Sequence, residues 1–150
     1  MPQTDFRLIP HGSADYHRAC ALREAVLRRP LGLAFSTTEL SAESGQLHFG
    51  LFAGETLQAC LTAVPMSATE AKLRQMAVRP EWQRRGLGRD LVKQVEAELA
   101  RRGCAQTWLH ARAEAVGFYA RLGYHVEGDE FLELGLPHFK MRKTLAAPAG

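Results

Sequence analysis

The feature that most constrains this chain is Gln83-Arg84-Arg85-Gly86-Leu87-Gly88, placed where the sequence switches from strand to helix. Leu73 to Val78 reads as extended. From Leu87 onward, apolar residues recur at Leu91, Val95 and Leu99, with Val92 widening the same side, which is one face of a helix. A turn with two glycines that opens a helix leaves backbone N–H groups without intrahelical partners, directed at one spot. The helix dipole adds partial positive charge there, and Arg84 and Arg85 add two full charges. Such a turn suits a pyrophosphate.

The surrounding residues exclude two kinds of pyrophosphate site. A P-loop requires G-x-x-x-x-G-K-[ST], and no such run occurs. A dinucleotide fingerprint requires a third glycine, whereas the run continues Gly86-Leu87-Gly88-Arg89-Asp90-Leu91. Two-glycine turns also join strands to helices for purely structural reasons, so the turn alone does not name its ligand.

Length and composition narrow the class. At 150 residues, 46% of them hydrophobic, the chain is expected to form a single domain over 1–150, with a loose tail at about 144–150. A net charge of +3 suits an anionic ligand but falls short of a nucleic-acid footprint. The three cysteines, Cys20, Cys60 and Cys104, are widely spaced and form no C-x-x-C pair. That pattern argues against a zinc site or a disulfide framework and fits a cytoplasmic setting. No window has the roughly 20 apolar residues of a membrane span, so no membrane association is expected.

The element pattern is mixed. Phe6 to Ile9 reads as a first strand, followed by a helix capped by Ser13 or Asp15 and stopped near Arg29 by Pro30. Leu31-Gly32-Leu33 begins an irregular connection. A hairpin pairs Gln46 to Phe52 with Thr56 to Val64, and Thr69 to Val78 makes the next strand. After the glycine turn come a helix ending at Gly103, a strand over Thr107 to Ala111, and a short helix over Glu114 to Leu122. A final strand pair covers His125 to Leu134 and Phe139 to Lys143, broken at Gly135-Leu136-Pro137. This is an α/β chain of the α+β type, with helices packed on one mixed sheet.

Two motifs in register carry a family resemblance. Met76-Ala77-Val78-Arg79-Pro80-Glu81-Trp82-Gln83-Arg84-Arg85-Gly86-Leu87-Gly88 resembles the acetyl-CoA signature of the GNAT superfamily of N-acetyltransferases. About thirty residues later, Phe118-Tyr119-Ala120-Arg121-Leu122-Gly123-Tyr124 resembles the second signature, Phe-Tyr-x-Lys-x-Gly-Phe. The resemblance covers about Gln46 to Lys143. The segment Phe131-Leu132-Glu133-Leu134-Gly135-Leu136-Pro137-His138 further resembles a small bacterial subgroup. The resemblance implies a GNAT-like, mostly antiparallel sheet of about six to seven strands with four helices, splayed between the fourth and fifth strands.

It also implies roles. Backbone N–H groups over Gln83, Arg84, Arg85, Gly86, Leu87, Gly88 and Arg89 would hold the CoA pyrophosphate. Met76, Ala77 and Val78 would offer strand-edge hydrogen bonds to the pantetheine arm. Tyr119 would be the general acid that protonates the departing thiolate. The central strand carries no carboxylate, so His110, His138 and Glu133 are the candidates for the base or the acceptor pocket. Arg112 stands where relatives carry asparagine, which makes the pocket more cationic. The implied function is transfer of an acetyl group from acetyl-CoA, without a metal, to a primary amine of a small molecule or protein. A homodimer is possible and no nucleic-acid partner is expected. The rival reading is a non-catalytic acyl-CoA sensor or interaction protein on the same scaffold.

Overall fold

A computed structural model describes residues 3–147; the last three residues of the tail read as loose lie outside them. Eight strands form a mixed, mostly antiparallel sheet with four α-helices, and β4 and β5 are a parallel pair. The chain divides into two compact units. One runs up to Val64 and includes Gln75–Val95; the other joins Pro65–Arg74 to the chain from Glu96 onward.

In the first unit, β1 (Asp5–Ile9), β2 (Leu47–Ala53) and β3 (Thr56–Pro65) form an antiparallel meander. Gly50 in β2 is required by close approach: a Cβ there would lie 2.7 Å from the Leu57 side chain. Helix α1 (Ala14–Arg23) starts at Ser13, whose hydroxyl accepts from Tyr16 N–H at 3.1 Å, with Asp15 in the first turn. It packs Tyr16, Ala19 and Leu22 against Ile9, Phe52 and Leu57.

The α-helix does not continue to Arg29. It gives way to a π turn over Glu24–Arg28 and a 3₁₀ turn over Arg29–Leu31, which Gly32 ends at φ +72°. Pro30 explains the change, because it lacks an N–H and its ring crowds the carbonyl four residues back. The connection beyond it is more ordered than expected. Ser36 and Glu39 form a complete capping box that opens a short helix, α2 (Thr37–Ser41).

Strand β4 (Glu70–Val78) contributes its first half to the second unit and its last residues to the first. In the second unit it pairs in parallel with β5 (Gln106–Arg112) from Glu70↔Gln106 to Leu73↔Leu109. β5 itself continues to Arg112, paired along its whole length with β8 (Leu136–Thr144). Two residues past the last β4–β5 pair, Gln75 takes φ +61°.

The C-terminal strand pair is subdivided. His125–Val126 (β6) and Phe131–Glu133 (β7) pair with different parts of β8, so the sheet has eight strands rather than six or seven. Gly128, at φ +86°, lies in the segment that separates them. The expected break at 135–137 is narrower: Leu134 and Gly135 turn with positive φ, and β8 already begins at Leu136.

Alternation in the second unit separates two faces. Ala71, Leu73, Thr107, Leu109, Ala111 and Met141 are buried on one. The buried carboxylate Glu96 on α3 (Leu87–Arg101) is fully accounted for there, accepting from Tyr124 Oη and Lys143 Nζ, each at 2.8 Å. The opposite face carries Lys72, Trp108, His110 and Lys140, all half-buried.

Candidate active site

The α3-opening turn is built within the first unit. Arg79 fixes the end of β4 to β3, donating its backbone N–H to Gln58 O at 2.8 Å and Nε to Leu57 O at 2.7 Å. The 3₁₀ turn Pro80–Trp82 follows, and the Gln83 side-chain amide donates back to Val78 O at 3.0 Å. Arg84 and Gly86 both take left-handed backbone conformations, at φ +63° and +83°. The first intrahelical bond runs from Asp90 N–H to Gly86 O. The N–H groups of Leu87, Gly88 and Arg89 therefore precede the helical ladder and are available to an anion.

The side chains around this turn divide into two kinds. Leu87 is buried and anchors α3, while Gln83, Arg84, Arg85 and Arg89 are exposed. The Arg85 guanidinium rests 5.6 Å over the Trp82 ring, and Arg89 leans across Gly86, its Nη2 3.1 Å from where a Cβ would be. Gly86 supplies the turn, whereas Gly88 is already helical, so the two glycines have different functions. Upstream, Ala77 is buried while Met76 and Val78 are half-buried.

In the second unit, Tyr119 lies on α4 (Val116–Arg121) between two aromatic rings, with Phe118 at 4.9 Å and Tyr124 at 5.8 Å between centroids. Burial pushes its phenol up to about 12, so it stays protonated at neutral pH. A phenol kept neutral is able to give a proton.

Three residues dispersed in the sequence converge on the half-exposed face. His110 Nδ1 is 3.0 Å from Glu133 Oε1, and His138 Nε2 is 3.5 Å from Glu133 Oε2. Phe131 packs edge-on to His110 at 4.8 Å and stacks with His138 at 6.0 Å. His138 is buried and donates Nδ1–H to Leu136 O at 2.8 Å. Because the carboxylate can only accept, His110 Nδ1 carries the hydrogen, and Nε2 is left as its basic atom. Burial raises the Glu133 carboxyl, but the His110 hydrogen bond with the charges of His110, His138 and Lys72 more than offsets it, so Glu133 titrates below the usual carboxylate range.

Sequence reasoning gave no role to Phe131 as the packing element of this cluster, or to Lys72 and Trp108 beside it. The alternation of polar and apolar residues along β5 was the available signal for Trp108, since it lies two positions from His110.

Known proteins share the family model and the fold. Residues 36–145 match the family model described as "Acetyltransferase (GNAT) domain". The chain is 34% identical over 76 residues to the Bacillus subtilis protein YyaT, a match spanning 51% of each chain, about half the length of that relative. It is 31% identical over 131 residues to the B. subtilis N-acetyltransferase YitI, covering 83% of this chain and 88% of that one. The fold superposes on a putative N-acetyltransferase from Lactobacillus plantarum with a TM-score of 0.85 at 22% identity, covering 95% and 99% of the two chains. It also superposes on an aminoglycoside 6'-N-acetyltransferase complexed with coenzyme A, with a TM-score of 0.78 at 14% identity, covering 97% and 99%. With its helix-opening turn and a family match over more than two thirds of its length, the chain belongs to the GNAT acetyltransferase family.

Proposed function

We propose that this protein transfers the acetyl group of acetyl-CoA to a primary amine. The observation that carries the reading is the α3-opening turn, where Gly86 at φ +83° presents the first N–H groups of a 15-residue helix beside Arg84, Arg85 and Arg89. Gln83 to Arg89 hold the pyrophosphate by backbone N–H groups, and Met76 to Val78 pair with the pantetheine arm.

The second unit supplies the proton chemistry. His110 Nε2 takes a proton from the acceptor ammonium, while Glu133 holds Nδ1–H and stabilises the imidazolium that forms. The amine nitrogen then forms a bond to the thioester carbonyl carbon, and the C–S bond breaks as the tetrahedral intermediate collapses. Tyr119 Oη–H protonates the departing thiolate, the phenolate regains through water the second proton that the acetylated nitrogen sheds, and His110 passes the first to solvent. The His110–Glu133 pair, from β5 and β7, supplies the base that the central strand lacks.

Calorimetric titration with acetyl-CoA tests the first half, and failure to bind at millimolar concentration would overturn it. Thiol release across a panel of primary amines tests the second, and tight binding without turnover of any amine would favour the sensor.

A further inference from the structure

The half-exposed face of the second unit holds more positive charge than its own carboxylates neutralise. Arg142 is satisfied, bonding to Glu70, Glu127 and Gln106, and Lys140 lies 3.4 Å from Glu127. Glu133 serves the two histidines. Lys72 and Arg74 on β4 and Arg112 on β5 remain, and among the described residues none of the three forms an ion pair.

Lys72 shares one aromatic ring with Lys140. Lys72 Nζ lies 5.0 Å and Lys140 Nζ 4.4 Å from the centre of the Trp108 indole. The same indole is 5.6 Å from the His110 ring. Burial together with the charges of Arg74 and Lys140 lowers the Lys72 ammonium from its ordinary range, against the opposing pull of Glu133. Ammonium groups so placed gain from an anion that the protein itself does not provide.

We propose that this face binds a carboxylate carried by the acceptor, with Lys72 as its principal partner and Trp108 as the floor between carboxylate and reacting amine. The acceptor is then a small amine bearing a carboxylate, such as a free amino acid, rather than a polycation. The inference deepens the acetyltransferase reading and rests on it for the reaction, though not for the binding. A small span suffices, because Lys72 Nζ and His110 border the same indole ring.

Two measurements test it. The first compares kcat/KM for free amino acids with their carboxamides, with acidic peptides included to separate a free amino acid from a chain terminus. A preference of at least tenfold for the carboxylate is expected, falling toward unity in Lys72→Gln and largely kept in Lys72→Arg. Carboxamides that react as well as the acids, or a Lys72→Gln enzyme that keeps the preference, would overturn the proposal. The second needs no turnover: Trp108 fluorescence in a Trp82→Phe background, titrated with N-acetylglycine and with N-acetylglycinamide. A saturable change with the acid alone, abolished by Lys72→Gln, supports the site even if no amine is acetylated. Equal responses to both compounds, or no response, would refute it. Failure of acetyl-CoA to bind, by contrast, would strike the acetyltransferase reading and leave this second measurement interpretable.

Discussion

Removing the Glu43 carboxylate should destabilise the first unit far more than an ordinary substitution. Arg23 and Glu43 form a bidentate pair, Nη1 to Oε1 at 2.8 Å and Nη2 to Oε2 at 2.6 Å, with only 1% and 5% of their side chains exposed. Tyr16 Oη donates to the same Oε1 at 2.7 Å. Glu43→Ala would leave a buried guanidinium beside the face of Phe35, 4.6 Å away, with no carboxylate to pair it. Breaking such a pair costs about 3–5 kcal/mol. That is a large share of the roughly 5–15 kcal/mol that separates a folded domain from its unfolded chain. Arg23→Met combined with Glu43→Leu should recover most of the loss, since neither charge is then stranded. Urea unfolding of the wild type, both singles and the double gives the cycle. The Arg23 bonds and the Tyr16 bond hold the Glu43 carboxyl below its ordinary range despite burial. Its contribution is therefore complete above the unfolded-state value and is lost as pH falls through the lower folded-state value, so the gap between wild type and Glu43→Ala should narrow in acid. A loss under about 1 kcal/mol for Glu43→Ala, or single effects that simply add, would refute the assignment of a tightly coupled buried pair.

Three further outcomes are expected. Gly86→Val places a β-branched residue at φ +83° and should weaken acetyl-CoA binding at least tenfold by calorimetry, with local strain of about 1–2 kcal/mol; unchanged affinity would count against the turn as the anion site. Tyr119→Phe keeps the ring contacts and removes the proton donor, so kcat should fall about 10²–10⁴-fold with little change in KM for acetyl-CoA; full turnover would reject Tyr119 as the acid. Glu133→Gln should lower kcat at least tenfold, because the imidazolium formed on His110 loses its carboxylate partner; unchanged turnover would separate Glu133 from the base.

The parts of this fold legible in the sequence are those fixed by neighbours along the chain. Ser13 as a cap, the four-residue spacing of α3 and the strand-turn-helix around Gly86 are decided within a dozen residues. The capping box at Ser36 and Glu39 was equally local, and Ser36-Thr37-Thr38-Glu39 spells it out, but the lack of a following apolar run concealed a helix of only five residues. What the sequence could not display is convergence across strands. His110, Glu133 and His138 meet because β8 pairs with β5 in the register Arg112↔His138 and with β7 at Phe131↔His138. A shift of one residue would send His138 to the other face. Nor does charge counting along the chain reveal which cations find partners: Arg142 and Arg112 look alike in sequence, and among the described residues only the first forms ion pairs with carboxylates.

The Arg142 clip has a temporal consequence. Its guanidinium joins β8 to Glu70 on β4, to Gln106 on β5 and to Glu127 after β6, and Glu70 is 72 residues away in sequence. Contacts of such separation form only after a long loop has closed, so this clip belongs to the last stage of assembly rather than to the nucleus. Arg142→Met should then accelerate unfolding while leaving the refolding limb of the chevron nearly unmoved. A refolding rate that slowed in proportion would mean that the C-terminal strand docks early, and that the chain folds from its ends inward.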